Sequence, residues 1–283
     1  MAKNPYFTVV IPLYNCQEFI GETIDSVLNQ TFSDWEMIVI DDASTDNSRE
    51  VVKEYVRRDP RVSLVELESG FGGPAGPRNI GISKAKSPYI ALLDSDDIWH
   101  PEKLATQNKI LSECNDISMV HTGSYEIDEE SRLIGTFPSD RPSQKIVNRC
   151  LTTILGAPKR ELFGNTINTN TLIYRREIAL KVPFDESPEI ASIEDWHQRI
   201  EILMQFPDIK IVKINEPLIS YRIRSGSISA HGKDQQRRKA IFMYCRFYLA
   251  KKINWVEFCV GVFISLIGIL RIRIRSIFFR KNL

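Results

Sequence analysis

The sequence is poor in the residues that most often bind transition metals or form cross-links: its 283 residues include five cysteines and four histidines. The cysteines are scattered along the chain, at Cys16, Cys114, Cys150, Cys245 and Cys259. This spacing matches neither a zinc site nor a disulfide framework. A protein of a reducing compartment, without disulfides, is therefore expected.

Several common sequence signals are also missing. Residues 1–6 contain no apolar stretch of the kind that begins a secretory signal, so the body of the protein is expected in the cytoplasm. No internal repeat or low-complexity tract occurs. Neither the Gly-Lys-Ser/Thr ending of a Walker loop nor a Gly-x-Gly-x-x-Gly fingerprint is present, so these two kinds of nucleotide site are not indicated.

The composition is that of a globular protein, with 43% hydrophobic and 26% charged residues, and the length allows a full core. The formal net charge of +1 is unevenly distributed. Residues 232–283 contain 12 Lys and Arg and two acids, so they carry +10 against −9 for the rest. A basic tail on an acidic body suggests an anionic partner, either a membrane or a nucleic acid.

The first hundred residues alternate between strand-like and helix-like segments. Apolar runs predict strands at 7–14, 36–40, 62–65 and 89–93, separated by helices at 17–29, from a cap within 44–47 through 56, and at 79–84. Further along, we expect helices at 101–113 and 193–206, strands at 118–127 and 166–174, and an irregular insert at 139–164. This order predicts an α/β protein whose mainly parallel sheet is covered on both faces. Ligands of such sheets bind at the carboxyl ends of the strands.

Clustered acids follow the fourth predicted strand. Asp94, Ser95, Asp96 and Asp97 come directly after the apolar run 89–93. Carboxylates at the end of a buried strand are costly unless a positive group lies there, and Mn²⁺ or Mg²⁺ prefers carboxylate and phosphate oxygens. The pattern thus favours a metal held against a diphosphate, although a solvated turn is the alternative.

Three other segments place polar groups where ligands would bind. The strand 7–14 ends in Pro12, Tyr14 and Asn15, and the next strand ends in Asp41-Asp42 before the capping residue Asp46. A carboxylate there can accept from a uracil imide or from sugar hydroxyls. The glycine-rich segment 70–79 contains Arg78 and leads into a helix, which suits a pyrophosphate; a flexible loop is equally compatible.

Together these motifs resemble those of family 2 glycosyltransferases. The resemblance covers residues 7–227 and rests on five motifs in the family's order: Pro12-x-Tyr14-Asn15, Ile40-Asp41-Asp42-Ala43-Ser44-x-Asp46, Arg78-Asn79-x-Gly81, Leu93-Asp94-x-Asp96-Asp97 and Glu194-Asp195-Trp196. It implies the GT-A fold, a mainly parallel central sheet flanked by helices. Residues 1–100 would form the nucleotide-sugar half of that domain, 101–231 the acceptor and catalytic-base half, and 232–283 a basic and apolar helical tail.

The resemblance also implies roles for individual residues. Asp96 would bind the metal, Mn²⁺ or Mg²⁺, and Asp195 would be the catalytic base of an inverting enzyme. Asp195 could instead be an acid that stabilises a helix N-terminus, and Ile193 stands where the family often has Ser or Thr. The other implied residues bind the nucleotide sugar: Pro12 and Tyr14 frame the base that Asp42 contacts, Arg78 lies near the base and diphosphate, Asp94 and Ser95 lie near the ribose, and Arg222, with Arg224 as a second candidate, approaches the diphosphate. A solvated basic loop is the alternative for Arg222.

The tail contains an apolar segment, 255–270, which is shorter than the ~20 residues of a membrane span. Lysines precede it and arginines follow it, which fits a helix lying on anionic headgroups. We therefore expect residues 251–283 to bind the membrane surface peripherally, on the cytoplasmic face. A core helix and a short span are the alternatives, while aliphatic content argues against nucleic acid.

The predicted function is an inverting, metal-dependent glycosyltransferase that acts in cell-surface polysaccharide synthesis. Its donor would be a nucleotide-diphosphate sugar, with UDP favoured, and its acceptor a glycan hydroxyl, by analogy on a lipid-linked glycan. A sugar nucleotidyltransferase is one alternative, but the lysine-bearing glycine-rich start motif is missing. The other alternative is a non-catalytic nucleotide- or glycan-binding module at the membrane.

Overall fold

The computed structural model describes residues 4–137, 158–224 and 233–280. The first part alternates strands and helices in the predicted order: β1 (Phe7–Leu13), α1 (Ile20–Leu28), β2 (Trp35–Asp41), α2 (Ser48–Arg58), β3 (Val62–Glu66), α3 (Ala75–Lys84) and β4 (Tyr89–Leu92). The second part is less regular and consists of β5 (Ile98–Trp99), α4 (Lys103–Glu113), β6 (Ile117–Ile127), β7 (Leu133–Phe137), 3₁₀ turns at Pro158–Phe163 and Thr169–Thr171, β8 (Ile173–Arg175), α5 (Arg176–Lys181), α6 (Glu194–Gln205), β9 (Lys210–Arg222), α7 (Lys233–Leu249) and α8 (Trp255–Arg280).

The strands of the described residues form one sheet in the order β3-β2-β1-β4-β8-β6-β9-β5, with β7 paired to β6. The four strands of the first part are parallel to one another. β8 is antiparallel to both β4 and β6, and β6 is parallel to β9. The sheet is therefore parallel where β1 to β4 lie and mixed in the second part.

Helices cover both faces of the parallel half, as predicted. Every residue of β1 is buried, and alternate side chains face opposite sides of the sheet. Val9 and Ile11 pack with apolar residues of α1, whereas Val10 packs with Ile82 of α3. Burial of both faces explains why β1 reads as a continuous apolar run in the sequence.

Pro12 is accommodated within β1 because its neighbour β4 has already ended there. Leu13 accepts a hydrogen bond from Asp42 on the β2 side, while Val10 accepts one from Leu93 on the β4 side. The backbone of residue 12 therefore faces β4, whose register with β1 ends at Val10 and Leu92. The missing N–H of proline breaks no ladder hydrogen bond at this position.

Several segments differ from the sequence predictions, and two of them bear on the site. The predicted strand 166–174 is wrong over most of its length, because Thr169–Thr171 forms a 3₁₀ turn and the strand is only Ile173–Arg175. Its polar side chains bond within the site described below. The 13-residue strand Lys210–Arg222 was not predicted, since its mostly half-exposed residues lack a clear apolar run. Of the predicted irregular insert, residues 139–157 lie outside the described part.

The last two helices form a hairpin that packs on α6. Trp196 and Ile200 of α6 share an apolar cluster with Met243, Tyr244 and Phe247 of α7. Small residues of α8 face α7: a Cβ on Gly261 would lie 2.7 Å from the Tyr244 ring, and one on Gly268 would lie 2.8 Å from Arg237 Nε. The hairpin is thus joined to the body through α6.

The predicted apolar segment of the tail is part of a helix longer than expected, the 26-residue α8. Its window Trp255–Ile272 has a mean hydropathy of 2.0, and 11% of that window is buried. By length and composition this one helix could cross a membrane.

Candidate active site

The carboxyl ends of β1, β2 and β4 meet at one edge of the sheet, since these strands are parallel. The chain leaves β1 and β2 through Asn15 and Ala43, which have φ of 44° and 59°. Ser192, shortly before α6, has φ of 75°. Left-handed backbone at non-glycine residues is uncommon and is concentrated at functional sites. The turns that carry the sequence motifs are therefore held in defined, strained conformations.

The motifs after β1 and β2 are bonded to each other. The N–H of Asn15 donates to Ser44 Oγ at 3.0 Å, and the N–H of Thr45 donates to Asn15 Oδ1 at 2.8 Å. Asp41 Oδ2 accepts from the N–H of Ser44 at 3.2 Å and from Arg49 Nε at 2.5 Å. Asn15 and Asp41 thus fix the two turns.

Asp42 lies under the glycine-rich loop. Its Oδ1 accepts the N–H of Phe71 at 2.8 Å, and a Cβ on Gly70 would lie 3.1 Å from its carbonyl oxygen. Burial raises the pKa of Asp42, and the backbone N–H groups of the loop partly offset this. Pro12 is buried nearby in β1, and Tyr14 is exposed at the end of the strand. The structure therefore brings together the residues predicted to frame the base.

Arg78 joins the two parts of the domain. Its guanidinium donates to Asp94 Oδ1 at 2.6 Å and to Glu194 Oε1 at 2.9 Å, and its side chain is nearly fully buried. Burial raises the pKa of Glu194, and the charge of Arg78 opposes that rise. Arg78 thus holds the acid turn after β4 against the first turn of α6.

Asn170 makes a second connection between these parts. Its Oδ1 accepts the N–H of Asp94 at 2.7 Å, and its Nδ2 donates to Asp94 Oδ2 at 3.0 Å and also to Asp97 Oδ2. Asp97 is fully buried, which raises the pKa of its carboxyl well above the ordinary value. Asp97 is therefore a structural part of the turn, below Asp94 and Asp96.

Asp195 lies in the first turn of α6 and is held from several sides. Its Oδ1 accepts the N–H of Trp196 at 2.7 Å, while its Oδ2 accepts from Thr169 Oγ1 at 2.6 Å and from Arg199 Nη2 at 3.3 Å. Burial by itself would raise the pKa of Asp195, but Arg199, Thr169 and Arg78 together hold it below the ordinary value. The result is an oriented carboxylate that stays ionised at neutral pH.

Asp96 is the member of the acid turn that pairs with a partly exposed arginine. Arg224 Nε lies 2.7 Å from Asp96 Oδ2, and the two side chains are 23% and 13% exposed. Burial raises the pKa of Asp96, and the charge of Arg224 opposes it. Ser95, between the two acids, is buried, and its carbonyl accepts from Thr23 Oγ1 at 2.9 Å.

Arg222 does not reach the site edge as predicted. Its side chain is fully buried, and its Nε donates to the carbonyl of Asp96 at 2.8 Å while its Nη2 donates to Glu22 at 2.6 Å. Its backbone N–H donates to Asp97 Oδ1 at 2.7 Å. Arg222 therefore supports the acid turn from below, and the arginine beside the predicted diphosphate position is Arg224.

The donor set fits one divalent cation bound with its substrate. Among the residues that the structure describes, no three His, Cys, Asp or Glu side chains come together as a metal site. Mg²⁺ and Mn²⁺ commonly take one or two carboxylates and complete their shell with substrate phosphates and water. Asp96 matches this requirement best, because Asp94 and Asp97 are tied to the buried Arg78 and Asn170, whereas Arg224, the partner of Asp96, is partly exposed.

Sequence reasoning missed several residues that organise the site. Glu194 was read only as part of a motif, and Thr169, Asn170 and Arg199 were not singled out. One signal was available: the polar run 168–171 interrupts the segment that was predicted as a strand. Polar residues at intended core positions are expected to have partners, and here those partners are the catalytic-motif acids.

Comparison with known proteins identifies the family. Residues 8–178 match the profile described as Glycosyl transferase family 2. Glycosyltransferase GlyG of Streptococcus pneumoniae is 33% identical over 231 residues, which are 78% of this chain and 72% of that protein.

A second relative is the UDP-Glc:alpha-D-GlcNAc-diphosphoundecaprenol beta-1,3-glucosyltransferase WfgD of Escherichia coli. It is 38% identical over 154 residues, 52% of this chain and 59% of that protein. Among solved structures, the mannosyltransferase PcManGT of Pyrobaculum calidifontis, in complex with GDP-Man and Mn²⁺, superposes with a TM-score of 0.63 at 18% identity. That superposition covers 95% of this chain and 73% of the other, and it confirms the predicted GT-A fold. The chain belongs to glycosyltransferase family 2 and is a transferase enzyme.

Proposed function

We propose that this glycosyltransferase is metal-dependent and inverting, and that it transfers a sugar from a UDP-sugar to a hydroxyl of a lipid-linked glycan. One observation carries the proposal: Arg78 joins Asp94, in the acid turn after β4, to Glu194, the neighbour of Asp195 in α6. The metal-binding and base motifs lie 98 to 101 residues apart in the sequence, counted from Asp94, Asp96 and Asp97 to Asp195, yet share one buried ion-pair network. Such a network fixes the separation between the acid turn, which would bind the sugar donor, and Asp195, the proposed general base.

Asp195 is the proposed general base. In a single displacement the acceptor oxygen attacks the anomeric carbon, the bond from that carbon to the diphosphate oxygen breaks, and the hydroxyl proton passes to Asp195. The carboxylate is suited to this step because it is ionised, oriented by Thr169 and Arg199, and 17% exposed. No covalent glycosyl-enzyme is required.

Asp96 is the proposed ligand of Mn²⁺ or Mg²⁺. A bound divalent cation would offset the negative charge that develops on the departing nucleoside diphosphate. Arg224 lies beside Asp96 and adds a positive charge for the same diphosphate. Asp42, with Pro12 and Tyr14, is proposed to contact the base, and Asp94 and Ser95 to lie near the ribose.

The donor and acceptor are proposed from two considerations. Asp42 is an acceptor that suits the imide N–H of uracil, and the name of WfgD specifies UDP-Glc and a diphosphoundecaprenol-linked acceptor. PcManGT was solved with GDP-Man and Mn²⁺, so the fold itself accommodates other bases. We therefore favour UDP as the nucleotide and cell-surface polysaccharide synthesis as the process.

The C-terminal hairpin is proposed to lie against the cytoplasmic face of the membrane. The apolar residues of α8 that face outward recur every three or four positions, at Val256, Cys259, Phe263, Leu266 and Leu270. The sequence places lysines before this helix and arginines in its last turns, which suits anionic headgroups. A surface helix near the site would bring the enzyme to a lipid-linked acceptor.

The first experiment is nucleoside-diphosphate release from UDP-, GDP- and dTDP-sugars with Mn²⁺, using the wild type and the Asp96→Asn and Asp195→Asn variants. We expect release from a UDP-sugar to be lost with chelator and in Asp96→Asn. Asp195→Asn should bind UDP normally but lose transfer to acceptor by a factor of at least about 10², the usual contribution of general base catalysis. Asp208→Asn, which changes an exposed acid of the same type, is the matched control.

The outcomes separate the parts of the proposal. Wild-type transfer by Asp195→Asn would exclude Asp195 as the base. Activity that persists in chelator would exclude the metal, and release from a GDP-sugar alone would correct the nucleotide.

A further inference from the structure

Each carboxylate of the acid turn has a partner supplied by the protein. Asp94 is bonded to Arg78 and Asn170, and Asp97 to Asn170 and to the backbone N–H of Arg222. These partners are buried and bonded to other groups. Asp96 is different, because the side chain of its partner Arg224 is 23% exposed, whereas that of Arg78 is 4% exposed.

The position of Arg224 follows from the way β9 ends. Arg222 is anchored below the turn by bonds to the carbonyl of Asp96 and to Glu22. Arg224 comes two residues later, beyond the end of the strand, and its guanidinium lies over the Phe19 ring at 5.2 Å. Arg222 lies over the same ring at 4.7 Å. The anchored Arg222 thus positions Arg224 beside the carboxylate of Asp96.

The two arginines differ in what their removal would disturb. Arg222 has at least four hydrogen bonds inside the protein, whereas the ion pair of Arg224 is with the carboxylate that we assign to the metal. A divalent cation at Asp96 needs the oxygen that Arg224 contacts, or at least the space beside it. Two cations at one carboxylate repel each other, so binding of one disfavours the other.

We propose that Arg224 is a built-in competitor of the divalent cation at Asp96, and that the donor diphosphate relieves this competition by giving Arg224 a new anionic partner. This inference rests on the proposed function, because it takes Asp96 as the metal ligand. Its consequence is that metal alone binds weakly, and that nucleoside diphosphate and metal each strengthen the binding of the other by the same factor.

The test is a Mn²⁺ titration followed by the electron paramagnetic resonance signal of free Mn²⁺, with and without UDP. The proteins are the full-length wild type, Arg224→Gln, Arg224→Lys and Asp96→Asn. Without UDP, Arg224→Gln should bind Mn²⁺ at least about fivefold more tightly than the wild type, the lower end of common coupling factors. UDP should strengthen Mn²⁺ binding less in Arg224→Gln than in the wild type, and Arg224→Lys should lie between them.

Arg58→Gln is the control for loss of one positive charge. Arg58 is 71% exposed on α2, and its removal should leave Mn²⁺ binding as in the wild type. If Arg58→Gln strengthened Mn²⁺ binding as much as Arg224→Gln, the effect would be one of net charge and the proposal would be wrong.

The remaining outcomes are equally informative. If Asp96→Asn abolishes Mn²⁺ binding but Arg224→Gln binds Mn²⁺ no more tightly than the wild type, the competition is refuted while the metal site stands. If Asp96→Asn binds Mn²⁺ as the wild type does, the metal assignment in the proposed function fails and the competition fails with it. Weaker Mn²⁺ binding by Arg224→Gln without UDP would also refute the proposal.

Discussion

Asp195 shows how a buried carboxylate is kept charged. Burial would favour the neutral acid, yet Arg199 one turn later in α6, the Thr169 hydroxyl and the more distant Arg78 all favour the anion. Glu194, the preceding residue, opposes this, since the two carboxylates disfavour each other's ionisation, and Arg78 pairs with Glu194. The balance lies with the anion, so the pKa of Asp195 lies below its ordinary value.

This balance predicts the pH dependence of transfer. A base must be deprotonated, so activity is lost as the pH falls through its pKa; for the wild type that loss is expected below the ordinary pKa of an aspartate. Arg199→Gln removes the cation paired with Asp195 and should therefore raise the pKa of Asp195. The acid limb of the kcat/KM profile, measured from below the ordinary aspartate pKa up to neutral pH, should move to higher pH accordingly.

Arg199→Lys is the control, because it keeps the charge near Asp195 while losing the planar guanidinium. Its acid limb should remain close to that of the wild type. A lower kcat in Arg199→Gln with an unmoved limb would mean that Arg199 orients Asp195 without setting its pKa.

At the scale of single residues, sequence patterns singled out the acids and two of their partners, Arg78 and Arg224, but missed Thr169, Asn170 and Arg199. Asp42, Asp94, Asp96 and Asp195 were all selected because carboxylates at strand or helix ends carry a recognisable motif. Asn170 and Asp94 are in contact although they lie 76 residues apart in the sequence, and a contact of this kind produces no local pattern that a single sequence would reveal. The sequence named both Arg222 and Arg224 as candidates, since only the folded strand shows that Arg222 is the buried one of the two.

Among the elements, α3 and β1 are closest at Gly81. A Cβ at this position would lie 2.4 Å from Val10 Cγ1, so Gly81→Ala should force the helix or the valine to move. We expect the free energy of unfolding to fall by about 1 to 3 kcal/mol, the usual cost of overpacking. Thermal unfolding of the full chain in mild detergent measures it.

Gly73→Ala is the matched control, because nothing lies within 4 Å of a Cβ there. Its melting temperature should be close to that of the wild type. The double variant Gly81→Ala with Val10→Ala should lose less stability than the two single changes added together, since the clash is relieved. If the stability losses of the two single variants simply add in the double variant, the effect of Gly81→Ala does not come from its contact with Val10.

The elements themselves were predictable where the apolar pattern was strong. The four parallel strands and their helices follow from runs such as 7–14 and 89–93, since both faces of these strands are buried. β9 lacks such a run because it pairs with β6 and β5 while much of its surface stays partly exposed. The predicted start of α3, at residue 79, is four residues too late, because the first turn of the helix contains Gly76 and Pro77.

At the scale of the whole molecule, the exposed apolar face of the α7–α8 hairpin predicts where the protein would contact a bilayer. Phe263 and Leu266 of α8 are 63% and 51% exposed, on the outward face. The double variant Phe263→Glu, Leu266→Glu should lose most co-sedimentation with vesicles containing anionic lipid, because two charges would enter the apolar interface. Binding by the wild type should weaken with salt, since basic residues contribute electrostatically.

Leu133→Glu, Ile134→Glu is the matched control, at positions 64% and 54% exposed on β7. It introduces the same charges elsewhere and should sediment with vesicles as the wild type does. Equal losses in both variants would assign the effect to net charge, and no loss in either would exclude α8 as the contact. Resistance of the wild-type protein to alkaline carbonate extraction would favour a span over a surface helix.

The packing of α6 has a practical consequence for anyone who shortens this protein to make it easier to handle. One side of the helix displays Asp195, and the opposite side rests on Tyr244 and Phe247, with the Trp196 ring 6.2 Å from that of Tyr244. Trimming the hairpin would uncover an apolar surface on the side of α6 opposite Asp195 and loosen the support of that residue. A trimmed, inactive enzyme would therefore say nothing about membrane recruitment, and the loss would first have to be checked with a water-soluble acceptor.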